Sequence, residues 1–372
     1  MALSQVGLER LNTATTDKLG ERKNLIINGA MTVSQRGTSF ASTHNTYSLD
    51  RFLLEKENNA ANFTITQSTT SPDGFSKSLK VDCTTADTST ASNEFVTFRY
   101  KIEAQDLQQL GYGTSGAKPL VLSFYVRSNV TGTYAVNCLQ RDNSSKLYTR
   151  NYTIDSADTW ERKTISIPAD TSGVINDDNG SGLEIYIPLV MGSTYTSGSQ
   201  STTAWETFAN SKFAAGHAVN VLSNTSNEWY LTGVQLEVGS VVTDFEHRSF
   251  GDELLKCQRY YYRTGLNQAV YYGGDIAFGF TDNDNDNCNL RTEFPVQMRI
   301  APTAVEQTGT GSDYKVRVTT TQTCDNVPVF ASATAWSAKT SFRKGSHGFG
   351  TAVPMYGQTS NSNSFLAWSA EL

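Results

Sequence analysis

Between Leu25 and Phe245 the chain repeats one pattern: short runs of alternating apolar and polar residues, each closed by a cluster of turn formers. Leu120-Val-Leu-Ser-Phe-Tyr-Val-Arg-Ser128, Thr133-Tyr-Ala-Val-Asn-Cys-Leu-Gln140, Arg162-Lys-Thr-Ile-Ser-Ile-Pro168 and Tyr230 to Glu237 show it best. Side chains on a strand point alternately to its two faces, so such a run buries one face and wets the other. Ser71-Pro-Asp-Gly, Asn129-Val-Thr-Gly, Asp177-Asp-Asn-Gly and Thr196-Ser-Gly-Ser supply the turns. About ten short strands punctuated in this way predict an antiparallel β-sandwich. Ala104–Leu110 is the one stretch that reads as helical there, for about two turns.

The composition agrees with an all-β chain. Only 18% of residues are charged and 38% hydrophobic, and Ser, Thr, Asn and Gly fill the difference. Thr suits strands and Asn and Gly suit positive-φ turns. The 17 Tyr, 18 Phe and 5 Trp are more than a disordered chain carries. A net charge of −6 argues against a nucleic-acid partner, which needs clustered Lys and Arg. Cys83, Cys138, Cys257, Cys288 and Cys324 are odd in number and widely spaced, which predicts buried reduced thiols rather than disulfides or zinc. No secretory signal precedes the strands and no apolar run approaches a membrane span, so assembly in a reducing cytoplasm without membrane insertion is expected.

Three regions follow. Residues 1–24 carry a short apolar set, Leu3, Val6, Leu8 and Leu11, before a polar and charged stretch. They are too short to bury a core and are expected to dock on something else. Residues 25–248 form the main β-domain. Residues 249–372 open with helix-compatible spacing over Phe250 to Tyr262 and continue as a smaller β-domain. Trp160, just before a strand, is expected between the sheets, and Tyr260, Tyr261 and Tyr262 at a subunit interface.

Catalytic motifs are scarce. His44, His217, His247 and His347 stand singly, and no nucleophile elbow, phosphate loop or dinucleotide fingerprint occurs. The sequence therefore reads as non-enzymatic with no resident cofactor, calcium being the one candidate ion. Asp282, Asp284 and Asp286 occupy positions 1, 3 and 5 of an EF-hand-like loop and Glu293 position 12, but Asn287 replaces the turn glycine and the flanks read as strands. A solvated hairpin is the competing reading. Sugar contact calls for aromatic faces beside short polar donors. Tyr195 and Trp205 in the first β-domain, and Trp336, Phe342, His347 and Tyr356 in the second, are the candidates, each weighed against a packing role.

Taken whole, Trp229-Tyr-Leu-Thr-Gly-Val-Gln-Leu-Glu-Val-Gly through Tyr262 resembles a signature of tailed-bacteriophage tail fibres and related virion appendages. Asn24-Leu-Ile-Ile-Asn-Gly-Ala-Met-Thr-Val-Ser-Gln-Arg-Gly37 followed by Tyr47-Ser-Leu-Asp-Arg-Phe52 resembles the opening of the same proteins, and Phe294-Pro-Val-Gln-Met-Arg-Ile-Ala-Pro-Thr303 their distal part. The order of Phe124-Tyr-Val-Arg-Ser, Thr159-Trp-Glu-Arg-Lys and Gly182-Leu-Glu-Ile-Tyr-Ile-Pro resembles a carbohydrate-binding-module-like jelly roll. The resemblance implies a jelly-roll sandwich, a distal β-domain and a homotrimer in the virion. It also implies attachment to other virion proteins through residues 1–24, with Leu3, Val6, Leu8 and Leu11 as the attachment set, and host-surface polysaccharide as receptor. Such modules often hold a structural calcium, which adds a little weight to the acidic loop at Asp177, although turn chemistry alone explains that loop better. A structural appendage without receptor binding, or a polysaccharide-depolymerising spike, are the alternatives.

Overall fold

The computed structural model describes residues 23–142, 145–264, 274–281, 286–346, 348–349, 352–360 and 364–372. The chain divides into two compact units, one ending at Arg248 and the other spanning Ser249–Leu372. The attachment set at Leu3, Val6, Leu8 and Leu11 lies outside the described residues.

The first unit is built from β1 (Ser39–Ala41), β2 (Thr46–Tyr47), β3 (Leu53–Glu57), β4 (Asn62–Ser68), β5 (Ser78–Thr85), β6 (Phe95–Glu103) and β7 (Leu120–Ser128), then β8 (Gly132–Gln140), β9 (Lys146–Ile154), β10 (Glu161–Ile167), β11 (Ser181–Met191), β12 (Glu206–Thr207) and β13 (Glu228–Val238). They form a six-stranded sheet, β1-β4-β5-β13-β7-β10, and a seven-stranded sheet, β12-β9-β8-β11-β6-β3-β2. All pairings are antiparallel, and the two sheets make an antiparallel jelly-roll sandwich. Alternation decides which residues meet. Leu79, Val81, Leu122, Phe124 and Leu231 of one sheet and Phe98, Tyr100, Ile185 and Tyr152 of the other share one core. Trp229 stacks on Phe98 across it, with centroids 6.0 Å apart and planes at 10°, and Phe124 meets Tyr152 edge-on at 5.1 Å. The helical expectation at Ala104–Leu110 appears as a 3-10 turn that buries Ala104, Leu107 and Leu110.

Trp160 departs from expectation. It is half-buried and meets Tyr230 edge-on at 5.9 Å on the outer face of the six-stranded sheet. Tyr230 pairs with Lys80 and Arg127 and points away from the core that its neighbour Trp229 fills. Trp160 immediately precedes Glu161, which pairs with Val126, and so takes the outward parity of Arg127.

The two signature segments of this unit form a clamp. The Asn24 side chain donates to the Val234 carbonyl and accepts from the Ile26 and Leu236 amides. Its own amide donates to Glu246 at 2.8 Å, while Arg248 donates to the Asn24 and Ile26 carbonyls. Gln35 donates its amide and side chain to the two Asp50 carboxylate oxygens, each at 2.6 Å, and Asn28 donates to the Asp50 carbonyl. Two glycines are needed here. A Cβ at Gly29 would lie 2.1 Å from the Val234 oxygen, and Gly233 has φ +60° with Phe75 and Tyr125 where its side chain would go. The residues that carry the family resemblance thus tie the entry of the sandwich to its exit.

The second unit opens with the helix Phe250–Gln258, capped by Ser249, whose hydroxyl accepts from the Asp252 amide. Its strands are β14 (Tyr261–Arg263), β15 (Asp275–Thr281), β16 (Asn287–Glu293), β17 (Glu306–Gln307), β18 (Tyr314–Arg317), β19 (Thr321–Thr323), β20 (Val329–Ala333), β21 (Ser337–Arg343), β22 (Pro354–Thr359) and β23 (Leu366–Ser369). They form a three-stranded sheet, β14-β23-β17, and a seven-stranded sheet, β19-β18-β22-β15-β16-β21-β20. Cys288, Leu290, Met298, Tyr314, Phe342, Met355 and Trp368 build its core. The three consecutive tyrosines belong to that interior. Tyr260 and Tyr261 are each 1% exposed, and Tyr262 stacks on Trp368 at 6.2 Å, so they are packing residues and not a free interface. The distal motif is a second clamp: Arg299 donates to the Ala370 and Glu371 carbonyls, each at 2.7 Å. All five cysteines are buried thiols, and no helix among the described residues is long and apolar enough to cross a membrane.

Candidate functional site

An outward sheet face becomes a binding surface when its groups are left for a ligand rather than spent on one another. The two seven-stranded sheets differ on this point. On the first unit's sheet, Glu184 is 1% exposed yet ionised groups surround it. Arg99 donates to one of its oxygens, as does the Ser181 hydroxyl at 3.1 Å; Arg141 at 2.7 Å and the Tyr186 hydroxyl at 2.8 Å donate to the other. Arg99 also donates to Glu55 at 2.6 Å and lies over the Tyr186 ring. Burial alone would raise the Glu184 carboxyl, but the Arg99 and Arg141 charges and these hydrogen bonds hold it below the usual carboxylate range. Burial and the Arg99 charge pull Lys101 down to about 8. These charges satisfy one another.

The second unit's sheet is different. Phe278 and Phe280 stand two apart on β15, so they share a face. They are 53% and 56% exposed. Tyr356 on β22, 47% exposed, pairs directly with Phe278. One register row runs Arg317–Tyr356–Phe278–Arg291–Lys339 across five strands, and the next runs Pro354–Phe280–Asn289–Ser341–Val329. Directly paired residues lie about 5 Å apart with side chains on the same side, so the three rings form one patch. The opposite face carries Ala277, Leu290, Phe342, Met355 and Val316, all buried. Large apolar groups grouped this way on a surface mark a place of contact. Rings flanked by long donors suit a ligand with apolar CH faces and polar edges.

The sequence candidates distribute unevenly over the molecule. Tyr356 belongs to the patch. Trp336 is 55% exposed but sits on the β20–β21 hairpin, and β21 lies three strands from Tyr356 in the sheet order. Phe342 is fully buried against Tyr314, so its expected ligand contact is corrected to core packing. His347 lies outside the described residues. Tyr195 packs edge-on against Phe95 at 5.5 Å. Trp205 is held by its indole N–H on the Pro168 carbonyl at 2.8 Å, with Tyr112 and Tyr148 against its ring. Both serve the sandwich as packing groups.

Of the four carboxylates, only Asp286 and Glu293 fall among the described residues, and these two stand apart. Asp286 immediately precedes β16 and Glu293 ends it, seven steps of largely extended chain apart, or roughly 23 Å. An EF-hand loop must fold position 12 back onto position 5, and a strand cannot. Glu293 instead pairs with Arg291 at 2.7 Å, and Asp286 accepts from the Ser346 amide at 3.1 Å. Asp282 and Asp284 lie outside the described residues, and no metal-holding cluster occurs among the described ones.

No protein-family model matches the sequence, and no curated protein does. Among solved structures, the enzymatically active domain of bacteriophage CBA120 tailspike protein 4 is 10% identical with a TM-score of 0.31, over 58% of this chain and 21% of that one. The family 11 carbohydrate-binding module of a Clostridium thermocellum cellulase is 11% identical, TM-score 0.28, over 56% and 96%. The CBM22-1 xylan-binding domain from Paenibacillus barcinonensis is 8% identical, TM-score 0.27, over 55% and 95%. The chain thus spans about a fifth of the tailspike domain.

Proposed function

We propose that this chain is a glycan-binding virion appendage of a tailed bacteriophage, a fibre protein that holds host-surface polysaccharide without cleaving it. The observation that carries the binding half is the outward patch of Phe278, Phe280 and Tyr356 on the second unit. The virion half is supported by the sequence signatures at Asn24 to Phe52 and Trp229 to Tyr262. In this reading residues 1–24 join the particle, the chain assembles as a homotrimer, and the second unit carries the contact with the cell.

Purified full-length chain, fluorescently labelled, is mixed with host cells in the presence and absence of soluble surface polysaccharide. Saturable binding relieved by the polysaccharide, with no shortening of the polymer, is the expected result. A folded protein that ignores the cells makes this a structural appendage. Shortened polymer makes it a depolymerase. An equilibrium molar mass of one chain removes the trimer.

A further inference from the structure

The aromatic patch lies in a basic field, although the chain as a whole has a net charge of −6. Five cations stand on the outward parity of this sheet: Lys315, Arg317, Arg291, Lys339 and Arg343. Its strands offer two carboxylates on that side, Asp275 and Glu293. Asp275 accepts from Gln358 at 2.7 Å, Glu293 is taken by Arg291 at 2.7 Å, and Arg343 lies 4.0 Å from Asp286, just ahead of β16. Among the described residues, Arg317 and Lys339 form no ion pair, and both are exposed. They end the row whose centre is Tyr356 and Phe278.

Resting on the glycan-binding reading, we propose that the ligand of this face is an acidic polysaccharide whose carboxylates meet Arg317 and Lys339 while its sugar rings lie on Phe278 and Tyr356. The row spans four inter-strand gaps, roughly 19 Å, which calls for an extended polymer rather than a single sugar. Guanidinium groups match carboxylates in geometry as well as charge. Two copies laid face to face about a twofold axis would set cations against cations, which disfavours that pairing. An F278A variant that keeps the molar mass of the unaltered chain excludes a heterologous subunit contact on this face. Exposed pairing of this kind weakens with salt, so the anionic component of binding is screened and the stacking component is not.

The test immobilises polygalacturonate, alginate and hyaluronan, each beside its carboxyl-reduced form, with polyglutamate as a non-sugar polyanion, and measures retention of the full chain. The variants are R317E/K339E and F278A, with thermal midpoints confirming that each remains folded. The expected result is that at least one acidic polymer binds about tenfold tighter than its reduced form. R317E/K339E should remove that difference, and F278A should weaken both forms. Equal binding of the acidic and reduced forms overturns the acidic preference and leaves the glycan reading intact. Polyglutamate bound as tightly as the best sugar acid overturns it in favour of a general anion surface. Retention of none of the polymers removes both readings.

Discussion

Two seven-stranded antiparallel sheets in one chain put their outward charges to opposite uses. In the first unit, Arg99, Arg141, Glu55 and Glu184 close on one another with Tyr186 among them. In the second, Arg317 and Lys339 face solvent beside exposed rings. Depth makes the difference. A buried carboxylate must be paired or the fold loses several kcal/mol, whereas an exposed arginine costs almost nothing to leave open. A self-satisfied face is scaffold, and an open face is available to a ligand.

The sharpest way to break this contrast is to unpair the scaffold. Glu184→Ala leaves Arg99 with Glu55 as its one acidic partner, takes the acid from Arg141 and empties a buried site lined by the Ser181 and Tyr186 hydroxyls. It should destabilise the sandwich by about 3–5 kcal/mol. Urea unfolding followed by tryptophan fluorescence, to which Trp160, Trp205 and Trp229 of the sandwich contribute, measures the loss. A loss below about 1 kcal/mol would mean that the network is no more than a surface ion pair.

Next comes acid. His217 is buried, accepting from the Ala135 amide at Nδ1 and donating from Nε2 to the Val219 carbonyl. Burial pulls it down to about 4, against the partial opposition of its backbone hydrogen bonds to Val219 and Leu189. The unfolded histidine therefore takes up its proton first. The stability is complete above about pH 6.5 and is lost as pH falls toward 4, by roughly 3 kcal/mol. Asp170 adds a second loss at lower pH. Burial would raise its carboxyl, but hydrogen bonds from Lys146, Ser172 and Gln140 prevail and hold it at about 2. Its contribution is present above about pH 4 and is lost as pH falls through 2. Unfolding midpoints for wild type and His217→Gln across pH 4–7 test the first step, and the variant should flatten the slope.

The smallest effects sharpen the other side. Phe278→Ala and Tyr356→Ala should leave stability within about 0.5 kcal/mol, because neither ring holds the core, while polysaccharide retention falls about tenfold, or 1.4 kcal/mol. Trp336→Ala, on its separate hairpin, should change neither. A Trp336 effect as large as that of Phe278 would move the site off the sheet face.

Much of the architecture was legible. Alternation gave Leu120–Ser128 with both ends correct and Thr133–Gln140 and Arg162–Pro168 to within a residue, since one buried face per strand forces a period of two. The turn clusters gave their order. Site residues were less legible, and β15 shows why. Ile276, Phe278 and Phe280 stand at alternate positions, a spacing that on an unbroken strand puts all three on one face. The strand instead bulges between Asp275 and Ala277, buries Ala277 against Gly357, and turns the two phenylalanines outward. Phe342 departs in the opposite sense: named as a candidate for sugar contact, it takes the inward parity of β21 and is buried.

The sequence by itself determined an all-β chain with two β-rich regions, the strands of each, and the reduced state of its cysteines, because period, turn chemistry and cysteine spacing are local properties. Tertiary structure alone decided which side of each strand faces inward. It also decided that Asn24 and Arg248 close the sandwich, that Trp160 lies outside it, and that Asp286 and Glu293 stay a strand's length apart. Those outcomes depend on register and bulges between strands distant in sequence, and a single β-bulge reverses what alternation alone assigns.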